Sequence, residues 1–151
     1  MTSEELKTTL QTDYPSLQFE DGNEWLTVCV DASIWHEFAR KLRLDENKSF
    51  DYLFCLTCVD WKTHLTMVYH LTSTQSRQIL VVKCRLDRTN PEIDSVTDMW
   101  KTAEFHEREV FELFGVKFSG HPDLRKLILP DDWTGFPLRK DYEDPVNMIK
   151  L

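Results

Sequence analysis

The chain has 151 residues, of which 41% are hydrophobic and 29% charged, and its formal net charge is −8. This length and apolar content predict one folded domain, and the acidic balance argues against a protein that binds nucleic acid through the phosphate backbone. The sequence holds no apolar run long enough to cross a membrane, no secretory signal pattern and only four cysteines, so we expect a soluble protein of a reducing intracellular compartment.

Helical and strand patterns alternate along the first 114 residues. In chain order they predict a helix at 3–13, strands at 17–20 and 25–30, a helix from 31 or 33 to 44, strands at 50–61, 66–71 and 78–86, and a helix from 96 or 100 to 114. The order, roughly αββαβββα, predicts a two-layer α+β fold with helices packed on a mixed, mostly antiparallel sheet. We expect a core domain at 1–114 and an extended, irregular docking segment at 115–151.

One Cys-x-x-Cys pair, Cys55 and Cys58, offers candidate chemistry as half a metal site or a redox dithiol. The pair lies inside a strand pattern, where residues three apart point to opposite faces. The five histidines show no ligand spacing, and the sequence lacks the common glycine-rich nucleotide motifs. The residues therefore favour buried core cysteines and predict no catalytic residue, cofactor or metal in this chain.

The last predicted helix carries charges on two faces. Arg108 is spaced i,i+4 from both Glu104 and Glu112, which is typical of a solvated face. Glu107 instead falls within an apolar stripe, where a carboxylate needs a partner. Its partner could be a cation within the same protein or an arginine of the C-terminal segment or of another chain; a role as general base is the third alternative.

The segment 115–151 combines helix-breaking residues with large apolar ones. Four of the six prolines lie in it, and they exclude a continuous helix. Its large apolar residues are Phe118, Leu124, Leu127, Ile128, Leu129, Trp133, Phe136, Leu138 and Tyr142. This composition predicts a segment docked on its own domain or on a partner. We expect residues 117–145 to dock on a partner subunit, and truncation after Gly115 to leave the core folded.

The residues from 107 to 142 form a recognisable pattern. The pattern consists of Glu107-Arg108-Glu109 and the runs 112–116 (ELFGV), 120–133 (GHPDLRKLILPDDW) and 137–142 (PLRKDY). It resembles the signature of the respiratory complex I 30-kDa-type subunit, which is the C subunit of bacterial NADH:quinone oxidoreductase. Two departures are visible: Glu112 stands where the family usually has Asp, and Phe136 stands where His is common.

The resemblance implies a structural subunit that itself holds no redox centre. Such subunits lie in the peripheral arm at the cytoplasmic face of the inner membrane, which they contact only through the complex. FMN and iron–sulfur clusters of other subunits carry electrons from NADH to quinone. The C-terminal segment runs along the 49-kDa-type subunit, also called the D subunit, and no nucleic acid is involved. The residues then expected to face a partner are Glu107, Arg108, Glu109, Phe118, His121, Arg125, Trp133, Phe136, Arg139, Lys140 and Tyr142.

Three other functions compete with this expectation. The same signature occurs in membrane-bound energy-converting hydrogenases and formate hydrogenlyases, so the chain could be the equivalent subunit there. A stand-alone thiol or metal-binding protein would use Cys55 and Cys58. A small independent enzyme would use Glu107 and His106, and would need a concave pocket around them.

Overall fold

The computed structural model of the chain describes residues 2–144, in which three α-helices and seven strands occur. In chain order they are α1 (Ser3–Asp13), β1 (Gln18–Glu20), β2 (Leu26–Cys29), a 3₁₀ turn (Ala32–Ile34), α2 (Trp35–Leu44), β3 (Tyr52–Asp60), β4 (Leu65–Thr72), β5 (Ile79–Leu86), β6 (Glu92–Asp94), α3 (Ala103–Phe114) and β7 (Lys117–Ser119). Every predicted helix and strand is present within a few residues of its expected position.

Local sequence signals fix the helix ends. A capping box starts α1, because the Thr2 hydroxyl accepts the Glu5 amide while the Glu5 carboxylate accepts the Thr2 amide. The Asp31 carboxylate caps the short 3₁₀ turn that leads into α2. At the other end of the chain, Gly115 ends α3 in the left-handed conformation, with φ of 80°.

Five strands form the main sheet in the order β1-β2-β5-β4-β3. β2 and β5 are parallel, and the other three neighbouring pairs are antiparallel. Residues of all three helices join the sheet in one apolar core, which includes the fully buried Trp35, Phe38 and Tyr69. The predicted two-layer α+β fold with a mixed, mostly antiparallel sheet is confirmed.

A second, two-stranded sheet extends the core past the expected end of the domain. β6 and β7 pair in parallel, with Ile93 opposite Phe118. Val116 is fully buried and the Phe118 side chain is only 3% exposed. Phe118 was expected to face a partner, but the structure places it inside this core because β7 pairs with β6 and packs against α3.

The segment 120–144 contains no helix or strand and packs along the outer side of α3. The expected docking segment continues to residue 151, but residues 145–151 lie outside the described part of the chain. Within residues 2–144, no helix combines the length and apolar character needed to span a membrane.

Candidate interaction surface

Arg108 on α3 holds the C-terminal segment by its carbonyl groups. Its Nε donates to the Arg125 carbonyl at 3.0 Å, and its Nη2 donates to the Lys126 carbonyl at 3.0 Å. The residue is 5% exposed, so its expected place on a solvated face was wrong. The physical reason is that the C-terminal segment folds back and covers the polar side of the helix.

Glu112, one helical turn further along, holds the same segment by its amides. Its carboxylate accepts hydrogen bonds from the backbone N–H groups of Leu127, Ile128 and Leu129, at 2.9–3.0 Å. Glu112 is 1% exposed. Hydrogen bonds to a charged group are each worth about 1.5–3 kcal/mol. We call Arg108 and Glu112 the clamp, because together they fix residues 125–129 against α3.

A second contact fastens the segment at the C-terminal end of α3. The Phe136 ring packs on Gly115, so closely that a Cβ added at Gly115 would lie 2.7 Å from the ring. Arg139 stacks its guanidinium 5.0 Å from the Phe136 ring centre and donates from Nε to the Phe114 carbonyl at 2.7 Å. Phe136 and Arg139, both expected to face a partner, thus make these contacts within their own chain.

The third contact lies where β3 ends. Arg88 binds the Asp60 carboxylate through two hydrogen bonds of 2.8 Å, and the same guanidinium reaches Asp141 at 3.0 Å. The backbone N–H of Lys140 also donates to Asp60, at 2.9 Å. The Arg88 guanidinium therefore lowers the pKa of Asp60 well below its ordinary value. This charged group ties Lys140 and Asp141 of the segment to the sheet.

Three further residues of the expected partner-facing set also bond locally. His121 donates from Nε2 to the Glu104 carbonyl at 2.9 Å, while its Nδ1 accepts the Asp123 amide. Arg125 pairs with Asp123 at 2.9 Å. The Tyr142 ring packs beside Gly135. The structure thus brings the signature residues together, but largely around the chain's own C-terminal segment.

Four members of the expected set are exposed in the structure: Glu109, Arg125, Phe136 and Lys140. Glu109 is exposed on α3. Trp133 is half-buried, and its indole Nε1 has no hydrogen-bond acceptor among residues 2–144. The Trp133 carbonyl accepts the Lys126 ammonium at 2.6 Å, which fixes the loop that carries the indole.

Glu107 is fully buried, but no lysine or arginine pairs with it within residues 2–144. Its carboxylate accepts the Ser95 hydroxyl at 2.6 Å and the Val96 amide at 3.0 Å. The expectation of a cation partner was therefore wrong for this part of the chain. Burial raises the pKa of Glu107 to about 7. Because the side chain is enclosed, it has no access to a substrate as a general base.

Four large apolar side chains of α3 and of the C-terminal segment packed against it are exposed to solvent. They are Phe105, Ile128, Phe136 and Leu138. We call them the ridge; Ile128 is its most prominent member, with 73% of its surface exposed although its own amide is bound by Glu112. The expected partner-facing set contained only Phe136, because a segment without a repeating pattern does not show which apolar residues point outward.

The two cysteines of the Cys-x-x-Cys pair do not form a joint site. Cys58 is buried on the core side of β3 and Cys55 lies on the opposite face, as predicted. The expectation of a buried core cysteine is confirmed for Cys58 and is wrong for Cys55, which is only half-buried. Burial raises the pKa of both thiols, that of Cys58 to about 12, so neither is an activated nucleophile. In residues 2–144 no three His, Cys, Asp or Glu side chains are grouped as metal ligands.

Comparison with known proteins identifies the family. Residues 28–146 match the model of the respiratory-chain NADH dehydrogenase 30 Kd subunit. The chain belongs to this family. The C/D subunit of an NADH-quinone oxidoreductase from Phocaeicola vulgatus is 47% identical over 124 residues, covering 81% of this chain and 24% of that protein. The C subunit of the Moorella thermoacetica oxidoreductase is 42% identical over 135 residues, covering 88% of this chain and 90% of that protein.

A solved structure shares the fold of this 30-kDa-family chain. It belongs to the membrane-bound sulfane sulfur reductase, an archaeal respiratory membrane complex. The two chains superpose with a TM-score of 0.79 and are 28% identical, over 93% of this chain and 85% of the other. The chain thus spans most of that protein and of the Moorella protein, but about a quarter of the C/D protein.

Proposed function

We propose that this chain is a structural subunit of the peripheral arm of an NADH-quinone oxidoreductase, at the cytoplasmic face of the membrane. It carries no redox centre itself and supports electron transfer from NADH, through FMN and iron–sulfur clusters of other subunits, to quinone. The family match and the relatives named as C subunits support this assignment. Its role is to hold neighbouring subunits in place.

The ridge is the observation that carries this proposal. A patch of exposed apolar side chains is typical of a protein-interaction site. The four ridge residues lie on α3 and on the segment packed against it. Here the clamp fixes the backbone that carries Ile128, so a partner meets this side chain already ordered and the entropy cost of binding it is small.

We assign the 49-kDa-type subunit as the partner that covers the ridge. A relative in this family is named as a C/D subunit, which supports a close association between a chain like this one and a D subunit. The C-terminal segment that bears most of the ridge would then lie along this larger partner. Glu109 and Lys140, which are both exposed, are the members of the expected partner-facing set best placed to add polar contacts there.

Substitution of Ile128 tests the proposal. Ile128→Asp places a charge at the centre of the proposed contact, and we expect at least roughly a 10-fold loss of this chain from the assembled complex when it is co-expressed with the 49-kDa-type subunit. Leu44→Asp is the matched control, since Leu44 on α2 is 60% exposed and lies away from α3. Both variants should keep the wild-type thermal melt. Equal retention of the two variants in the complex would contradict the proposal.

The match to the sulfane sulfur reductase structure supports a second candidate, an equivalent place in another membrane-bound respiratory complex. An energy-converting hydrogenase or a formate hydrogenlyase would be of this kind. The ridge would serve the same structural role there, against a different large subunit. Identification of the proteins that co-purify with the chain from native membranes separates the two candidates, because only the first brings an NADH-oxidising module with it.

A further inference from the structure

A chain of hydroxyl groups links the buried Glu107 to the surface. The Thr97 hydroxyl lies 2.9 Å from the Ser95 hydroxyl, which donates to Glu107 Oε1 at 2.6 Å. Since Ser95 gives its one proton to the carboxylate, Thr97 must donate to Ser95. Thr97 also borders an open depression with His36 and Asp98. A proton therefore has a path of two hydroxyls from solvent to the carboxylate.

The same hydroxyl chain suits both ionisation states of the acid. When Glu107 is ionised, the hydrogen bonds run from Thr97 to Ser95 to Glu107. When Glu107 takes a proton, its own O–H donates to Ser95, and Ser95 donates to Thr97, so the three oxygens stay bonded with each donor reversed. No side chain has to move for the proton to enter or leave.

Apart from Ser95 and Val96, the groups named around Glu107 do not stabilise its negative charge. Asp98, which follows the hydroxyl chain, is itself acidic and is paired with His36 of α2 at 2.8 Å. Tyr69 of β4 lies near enough to Glu107 for the two to interact electrostatically, and its phenol oxygen is buried without a hydrogen-bond partner in residues 2–144. Cys84 of β5, beside Tyr69, is a buried thiol with a raised pKa. The charge of Glu107 is thus offset only by Ser95 and Val96 among the described residues.

We propose that Glu107 is a reversible proton-binding site that ties the packing of α3 against residues 95–97 to pH. The neutral acid fits the buried pocket, whereas the ionised form leaves a poorly compensated charge in the core. The next residue along the helix, Arg108, is half of the clamp. Ionisation of Glu107 therefore loosens the helix at the point where it begins to hold the C-terminal segment.

Thermal melts of the full chain from about pH 5 to about pH 8 test the proposal, with Glu107→Gln compared with wild type. The folded pKa of Glu107 lies near 7, above its ordinary value of 4.5. Its stabilising effect is therefore complete below pH 4.5 and is lost as the pH rises to about 7. Between about pH 5 and about pH 8, the folding equilibrium constant of wild type should fall on the order of 100-fold relative to that of Glu107→Gln, which mimics the neutral acid.

Glu109→Gln, which removes an exposed carboxylate two residues away, is the control and should follow wild type. Parallel pH profiles for wild type and Glu107→Gln would overturn the proposal. If Glu107→Gln does not fold, infrared difference spectra of wild type decide instead. We expect a buried carboxylic-acid band that disappears near pH 7, and its absence at low pH would overturn the proposal. Ser95→Ala removes the nearest donor, so it should move that transition to higher pH.

Discussion

At the scale of single residues, Glu112 does the most to hold the C-terminal segment. We expect Glu112→Ala to lower the free energy of unfolding by at least about 3 kcal/mol, since three backbone amides lose a charged acceptor. The same change should free residues 125–129, so that trypsin cleaves after Arg125 and Lys126. Urea denaturation and limited proteolysis with mass spectrometry measure the two effects.

Glu109→Ala is the matched control for this prediction, because Glu109 is an exposed glutamate on the same helix. It should leave both stability and the cleavage pattern unchanged. If Glu112→Ala were no more sensitive to trypsin than Glu109→Ala, the clamp would not be what orders the loop.

Asp60 makes stability sensitive to acid. Arg88 holds its pKa below the ordinary value of 3.8, so the stabilisation is present above that value and is lost as the pH falls further. We therefore expect wild type to lose stability more steeply than Asp60→Asn below about pH 4. Urea denaturation midpoints of wild type and Asp60→Asn, compared between neutral and acidic buffers, measure this loss. If the midpoint fell with pH equally in both proteins, groups other than Asp60 would cause the acid sensitivity.

At the scale of elements, the end of α3 and the C-terminal segment depend on each other through Gly115. Gly115→Ala puts alanine at φ of 80° and places its Cβ 2.7 Å from the Phe136 ring. The left-handed backbone alone costs about 1–2 kcal/mol, and the clash adds to this. We expect the Phe136→Ala background to remove the clash but not the backbone cost. Chemical denaturation of the four proteins in this double-mutant cycle measures the two contributions separately.

The sequence predicts the helices and strands well because most have a clear period. Phe38 and Leu42 are buried as the pattern of α2 requires. The sequence does not predict that β2 pairs in parallel with β5 or β6 with β7, since these pairs join residues far apart in the chain. It also misplaces Arg108, because a helix pattern alone does not show that another segment will cover its polar face.

At the scale of the whole molecule, β7 is the last strand of the core, and its position decides where the chain can be truncated without loss of the folded core. Truncation after Gly120 keeps β7 and should leave a cooperative, lowered melt. Truncation after Gly115 removes Val116 and Phe118 from the core, and we expect it to cost about 3–5 kcal/mol more. Circular dichroism melts of both truncated chains test this. Equal melting temperatures would show that β7 contributes little, as the sequence alone suggested.

The family was recognisable from the sequence, whereas the interaction surface was not. The signature residues are dense and specific, but the side chains of Arg108, Glu112 and Arg139 form hydrogen bonds with the chain's own backbone. The ridge residue Ile128 is a single isoleucine in a run of similar apolar residues. Only the structure, in which Glu112 binds the backbone of this loop, shows that Ile128 points outward while Leu127 and Leu129 are half-buried.

The three fastenings of the C-terminal segment also set how the chain bears mechanical load. A partner that pulls on the segment beyond Asp144 transmits its force first to the pair of Asp141 and Arg88, and through Arg88 to the end of β3. The contact of Phe136 with Gly115 comes next, and the clamp on α3 is last. Tension is thus passed to the sheet before it reaches the loop that carries Ile128.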